Sequence, residues 1–185
     1  MKVLLINGSP RPDGETHAAL ALIEKILYDS GVECEWFQLG TDAVRGCIHC
    51  GGCRNGHRCV FNDDACNGLI DQIVDADGVI IGTPVYFAGP NGALCALLDR
   101  VFYAGACHGR LFAGKPSAAV ATCWRAGAST ALDRLNKYFT YSEMPVVSSS
   151  YWNIRHEGED EFGDQTLKTL AENMAKILRS QNGNP

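Results

Sequence analysis

Three short stretches of this chain, KVLLIN at 2–7, GVIIGTPVYF at 78–87 and PSAAVATCW at 116–124, are apolar or small almost throughout. A strand with one face in water alternates polar and apolar residues. An uninterrupted apolar run instead suits burial on both faces, as in a parallel sheet with helices on each side. The intervals between the runs carry helical periodicity. Over 16–29, Ala19, Leu22, Ile23 and Ile26 recur at i, i+3, i+4 and i+7, and Gly31 marks the end of that helix. VECEWFQL at 32–39 predicts a second strand, and DDACNGLIDQIVDA at 63–76 a helix with acidic residues in its first turn. Helices are predicted at 91–103, at 128–141 through Ala128, Ala131, Leu132, Leu135 and Phe139, and at 163–180 through Leu167, Leu170, Ala171, Met174 and Leu178. MPVVSSS at 144–150 predicts the fifth strand.

Five consecutive β–α units imply an α/β fold, a doubly wound parallel sheet of flavodoxin-like strand order 2-1-3-4-5 with helices on both faces. At 185 residues, with 46% hydrophobic and 20% charged residues, the chain suits one domain spanning 1–185. The net charge of −5 gives no basic footprint, so nucleic acid is not an expected partner. No apolar run approaches the roughly 18 residues of a membrane span, and the opening MKVLLINGSP is too short for a signal peptide's apolar region. A cytoplasmic location follows as the expectation. Nine cysteines there are better read as thiols or ligands than as a disulfide frame.

In such sheets ligands sit beyond the carboxyl ends of the strands, where the winding reverses between strands one and three. The loop after strand one is GSPRPDGETH. Ser9, Arg11, Gly14, Glu15 and Thr16 there combine a helix N-terminus, hydroxyls and a fixed positive charge, which suits a phosphate. A plain β–α turn capped by Thr16 is the structural alternative. Neither G-x-G-x-x-G nor G-x-x-x-x-G-K-[ST] occurs, so a single phosphate, as on FMN, fits better than a dinucleotide or triphosphate. The loop after strand three supplies Pro84, Val85, Tyr86 and Phe87, a flat apolar surface of the kind an isoalloxazine ring needs. A third loop, 122–127, brings Cys123, Trp124 and Arg125 to the same crevice.

GSPR followed by Thr16, PVYFAGPNGALCALLDR at 84–100 and a cysteine loop ending in CVFNDD together resemble the NAD(P)H-dependent FMN reductase superfamily, and within it the iron–sulfur flavoproteins. The likeness runs from Met1 to the last helix. It implies FMN at the three loops, electrons from NAD(P)H or ferredoxin, and a homodimer or homotetramer. Many members carry Gly-Asn-Thr in the phosphate loop where this chain has Gly14, Glu15 and Thr16. Glu15 lacks the amide donor but keeps its backbone N–H.

The segment 41–62 holds Cys47, Cys50, Cys53 and Cys59. Zinc knuckles pair two short turns across a longer spacer. Three cysteines at every third residue instead wrap one loop around one object, as ferredoxins do. The ferredoxin run places its fourth cysteine after three residues and before a proline; here Cys59 follows after five, without proline, so all four are available to one [4Fe–4S] cluster. This compact spacing is similar to that of the iron–sulfur flavoproteins. Zinc, disulfides and unliganded thiols stay open as alternatives. Cys34, Cys66, Cys95, Cys107 and Cys123 read as buried or incidental thiols, and His49 and His57 as surface residues. The resulting expectation is an FMN-dependent oxidoreductase passing electrons between NAD(P)H or ferredoxin and an acceptor. An FMN-only NAD(P)H:quinone or flavin reductase and a non-enzymatic electron carrier are the rivals. The length of the cysteine loop gives it an expected second role, packing against another subunit.

Overall fold

The computed structural model of the chain describes residues 1–107 and 109–183. Its elements run β1 (Lys2–Asn7), α1 (Glu15–Asp29), β2 (Glu33–Gln38), α2 (Cys66–Asp75), β3 (Gly78–Tyr86), β4 (Gly89–Pro90), α3 (Gly92–Ala106), β5 (Ser117–Cys123), α4 (Ala128–Tyr141), β6 (Ile154–His156) and α5 (Glu161–Gln181). One sheet forms in the order β2-β1-β3-β5-β6, and β4 folds back on β3 as a short antiparallel hairpin. With that hairpin set aside, the order is the doubly wound 2-1-3-4-5 predicted from the β–α units. All pairings along the main path are parallel.

The continuous apolar runs do what their composition demands. Successive strand residues point to opposite faces. Leu4, Ile6, Val79, Ile81, Ala119 and Ala121 therefore join the core under α2, α3 and α4. Their neighbours Val3, Leu5, Ile80, Ala118 and Val120 join the core under α1 and α5. On α4 and α5 the buried stripes follow the predicted residues. On α1 the buried face is rotated: Thr16, Ala19, Leu20, Ile23 and Leu27 are buried, while Leu22 and Ile26 flank the core. No helix of the described residues is long and apolar enough to cross a membrane.

Two local expectations are corrected. The fifth strand is not 144–150. There only Val146 bridges Ser117, and the chain then leaves the sheet and returns as β6. The cause is local: Pro145 has no N–H, and beyond Val147 the apolar run gives way to serines. Ser149 turns its hydroxyl to the carbonyl of Tyr151 and to Asn153, whose own amide caps the Ala119 carbonyl (3.0 Å). Helix α2 likewise starts at Cys66 rather than 63, with no acidic residue in its first turn. Asp64 is spent outside the helix, accepting from the Cys66 N–H (3.1 Å) and from Arg100.

Candidate functional site

The carboxyl ends of β1, β3 and β5 lie side by side, and their buried polar residues hold the adjoining loops. Asn7 is fully buried; its Oδ1 accepts from the Ser9 N–H (3.1 Å) and its amide donates to Gln38 (2.7 Å). Gln38 in turn donates to the Ser9 carbonyl (2.7 Å). From the other side Asn91, the N-cap of α3, donates to the Gly8 carbonyl (2.9 Å) and receives the Ala93 N–H (2.9 Å). Gly8 itself sits where no Cβ fits: one would meet Leu94 Cδ2 at 2.4 Å and the Gly82 carbonyl at 2.7 Å. These contacts leave the first loop one conformation, with the start of α1 directly behind it.

That start is open. Gly14 is the N-cap in extended conformation and no side chain caps it, so the first-turn N–H groups of α1 lack a side-chain acceptor. Thr16 is not the cap. It is buried, and its hydroxyl is shared with Thr122 Oγ1 on β5 (2.7 Å), which ties α1 to the sheet. Arg11 lies exposed with its side chain over Gly14, and the Ser9 hydroxyl accepts from the Arg11 N–H (3.1 Å). Glu15, the acid of the first turn, is held by Arg155, which also donates to Asp164 (2.7 Å). The helix start thus offers N–H groups beside the Arg11 cation of the loop, and its one first-turn carboxylate is engaged at the rim.

A crevice of about 170 Å³ runs over these strand ends, lined by Ser9, Arg11, Glu15, Thr16, Pro84, Val85, Tyr86, Cys123 and Trp124, together with Thr122 and Glu157. Of the residues singled out in the sequence, Gly14 lies beneath the wall as the α1 cap, while Phe87 and Arg125 stand exposed beside the crevice loops and do not line it. Phe87 and Ala88 form the tip of the β3–β4 hairpin with φ of 49° and 59°. Two left-handed non-glycine residues in succession are a strained pairing. Gly127 allows the hairpin to sit where it does: a Cβ there would lie 2.7 Å from Ala88 Cα. Tyr86 and Trp124 are half and four-fifths exposed, flat apolar faces in an otherwise polar rim. Thr122 was legible as a strand-end residue. Glu157 was not, because it follows β6, which the sequence placed ten residues too early; its N–H donates to the Cys123 carbonyl (3.0 Å).

The cysteine loop is a separate region. Its one regular piece is a 3-10 turn, Gly52–Asn55, entered through left-handed His49 and Gly51 and left through left-handed His57. Cys47, Cys50, Cys53 and Cys59 all line one cavity, whose other walls include Ile48, Val60, Phe61, Arg100 and Tyr103. Asn67 fixes the far end, receiving the Cys59 N–H (2.8 Å) and donating to the Cys59 carbonyl (3.0 Å). None of the nine cysteines is joined in a disulfide. Burial pushes the Cys34 and Cys66 thiols up to about 12, in keeping with their reading as inert. The Cys107 sulfur lies 3.8 Å from that of Cys53, and burial first, then this neighbour, pushes Cys53 up to about 11. No spacing in the sequence signals that approach, since it joins the loop to the end of α3. Among the described residues, no three Cys, His, Asp or Glu side chains converge on a point where a single ion would sit.

The profile of the family described as NADPH-dependent FMN reductase matches residues 1–159. An iron–sulfur flavoprotein of Methanocaldococcus jannaschii is 30% identical over 200 residues, which cover 99% of this chain and all of the relative. A second iron–sulfur flavoprotein of the same organism is 28% identical over 192 residues, covering 97% and 98%. Among solved structures, a flavodoxin from the domain Archaea superposes with a TM-score of 0.66 at 13% identity, covering 97% of this chain and 99% of that one.

Proposed function

The chain belongs to the NADPH-dependent FMN reductase family and is similar to iron–sulfur flavoproteins over almost its whole length; from that premise we propose a two-centre electron-transfer enzyme, with FMN in the strand-end crevice and a [4Fe–4S] cluster on the cysteine loop. That it is a flavin-dependent oxidoreductase follows from the family. The observation that carries the FMN site is the meeting of three strand-end loops on one crevice, with an uncapped helix N-terminus at one end and exposed aromatic faces at the other.

The residues divide the work. The Ser9–Thr16 loop would hold the phosphate through its backbone N–H groups, including those of Gly14 and Glu15, with Ser9 and the Arg11 cation. Pro84, Val85 and Tyr86 would form the wall for the ring, with Cys123 and Trp124 across the crevice and Phe87 and Arg125 at its exposed margin. When bound, FMN supplies exchange of hydride or single electrons, so no side chain has to act as acid or base. NAD(P)H or a ferredoxin-type protein is the donor class, and a quinone, free flavin or redox protein the acceptor class. Purified protein should take up FMN at micromolar concentration. Failure to do so removes this reading, and turnover of NAD(P)H with a quinone decides between donors.

For the second centre, four thiols on one cavity fit a cubane better than a lone ion. A zinc site needs its ligands about 2.3 Å from one point. In a [4Fe–4S] cluster each of Cys47, Cys50, Cys53 and Cys59 would bind its own iron, so the sulfurs surround the group instead of converging. The exposed Ile48 and Val60 of the same loop suit an apolar contact with a second subunit. A homodimer or homotetramer by sedimentation is the expected outcome, and a monomer at micromolar concentration counts against that contact.

A further inference from the structure

Arg100 is the least expected residue near the cysteines. It comes from the middle of α3, closes the 84–100 stretch that carries the family resemblance, and is 2% exposed, yet its spacing from the cysteines gives no sign that it reaches them. Burying a guanidinium is costly unless its donors are satisfied. Here they are shared out among the segments that frame the cysteine loop. Nη1 and Nη2 both reach Asp64, just beyond the loop, as a two-pronged ion pair. Nη1 also donates to the Arg45 carbonyl (3.3 Å), just before Cys47. The guanidinium lies over the Phe61 ring at 5.4 Å, with Arg45 on the same ring at 4.4 Å. The Nε–H donor is aimed at Cys59 Sγ (3.3 Å).

That last contact counts for most when the sulfur is a metal ligand. A neutral thiol is a weak acceptor. A thiolate is a strong one, and its bond to a cationic donor is charge-assisted. The thiolate is also the form that binds metal. Two of the other three meet different partners: Cys47 Sγ accepts from the backbone N–H of His49 (3.4 Å), and Cys53 faces the Cys107 thiol. Among the described residues, Cys59 is the one sulfur of the four met by a charged donor.

We infer that Arg100 clamps both ends of the cysteine loop and, through its Nε–H···Sγ bond to Cys59, raises the reduction potential of the iron–sulfur centre, an inference that rests on the cluster reading above. Reduction adds one negative charge to the centre. A donor held on a ligand sulfur stabilises the more negative state, and hydrogen bonds to sulfur are among the terms that set cluster potentials. Asp64 neutralises the cation at longer range and fixes its fork. The directed N–H bond is therefore what acts on the centre, and Arg100 is a positioning residue, not a ligand.

The test uses anaerobically reconstituted full-length protein loaded with FMN, with potentials read by EPR-monitored titration. Arg100→Lys keeps a cation beside Asp64 but removes the Nε–H; iron content should hold and the cluster potential should fall. The neutral pair Arg100→Gln with Asp64→Asn avoids stranding a buried charge. It should lower the potential as well and release iron to a chelator about tenfold faster than wild type. FMN content and the flavin's own potential, set at the other region, should not move in either variant. Cluster potentials equal to wild type in both variants overturn the inference while leaving the cluster reading intact. A wild-type protein that takes up no iron–sulfur centre removes both.

Discussion

The strand-end crevice and the cysteine loop sit on one chain, yet they are held in opposite ways. The crevice inherits its shape from the sheet. Asn7, Thr83 and Thr122 at the ends of three adjacent strands are buried to 4% exposure or less, and each is hydrogen-bonded across to a loop or helix. The cysteine loop has one short turn, two exposed cysteines, and a handful of side-chain anchors supplied from α2 and α3. A site on strand ends is organised before its ligand arrives, because the core that fixes it is the core of the whole domain. A loop site has its order concentrated in a few anchors and in whatever the loop encloses. Disturbing one region should therefore leave the other working, and the expected effects follow from that independence.

The largest effect is all-or-none. Protein prepared without oxygen should carry about four irons and four sulfides per chain, and changing Cys47, Cys50, Cys53 or Cys59 to Ala should abolish the cluster while FMN stays at full occupancy. Cys34→Ala and Cys95→Ala should leave the iron untouched. Flavin lost together with iron would show that the two regions are coupled, against the separation drawn here.

Next comes the anchor. Asp64→Asn leaves the buried Arg100 cation without its counter-charge and should cost roughly 3–5 kcal/mol in urea unfolding at neutral pH. The hydrogen bonds from Arg100 hold the Asp64 carboxyl below its usual range, against the opposing effect of burial. A depressed carboxylate contributes stability that is complete above its unfolded value, near pH 4, and is lost as pH falls through the lower folded value. Wild type should therefore lose stability below about pH 4 more steeply than Asp64→Asn does. Parallel acid limbs would show that the pair does not anchor the loop.

The smallest effect belongs to the preorganised region. Arg11→Ala removes one exposed cation from a site whose backbone is fixed by Asn7, Gln38 and Asn91. FMN binding should weaken by about 1 to 3 kcal/mol, read by flavin fluorescence titration, with the cluster unchanged. A loss much larger than this would mean that Arg11 shapes the loop and does not merely neutralise the phosphate.

The two regions also differ in how much of them could be read in advance. Ser9, Arg11, Tyr86 and Trp124 were legible because the strand-end rule turns position along the chain into position in space. Glu157 escaped because it depends on β6, and three residues of strand carry almost no periodic signal. Thr16 was legible as a polar residue at a helix start, but its bond to Thr122 joins positions 106 residues apart. In the cysteine region the four ligand candidates announce themselves by spacing alone. The contacts of Cys107 and Arg100 with the loop do not, since each reaches it only through the packing of α3.

What the sequence determined by itself is the sheet up to its last strand: uninterrupted apolar runs separated by amphipathic helices leave one economical way to bury both faces, and with it the place where loops gather. That information is local and periodic, so it survives in a linear reading. Tertiary structure decided which polar atoms meet. The aim of Arg100 at Cys59, the sharing of a hydroxyl between Thr16 and Thr122, and the approach of Cys107 to Cys53 each depend on how two distant elements pack. A hydrogen bond is sensitive to a few tenths of an ångström and to direction, whereas a hydrophobic stripe tolerates both.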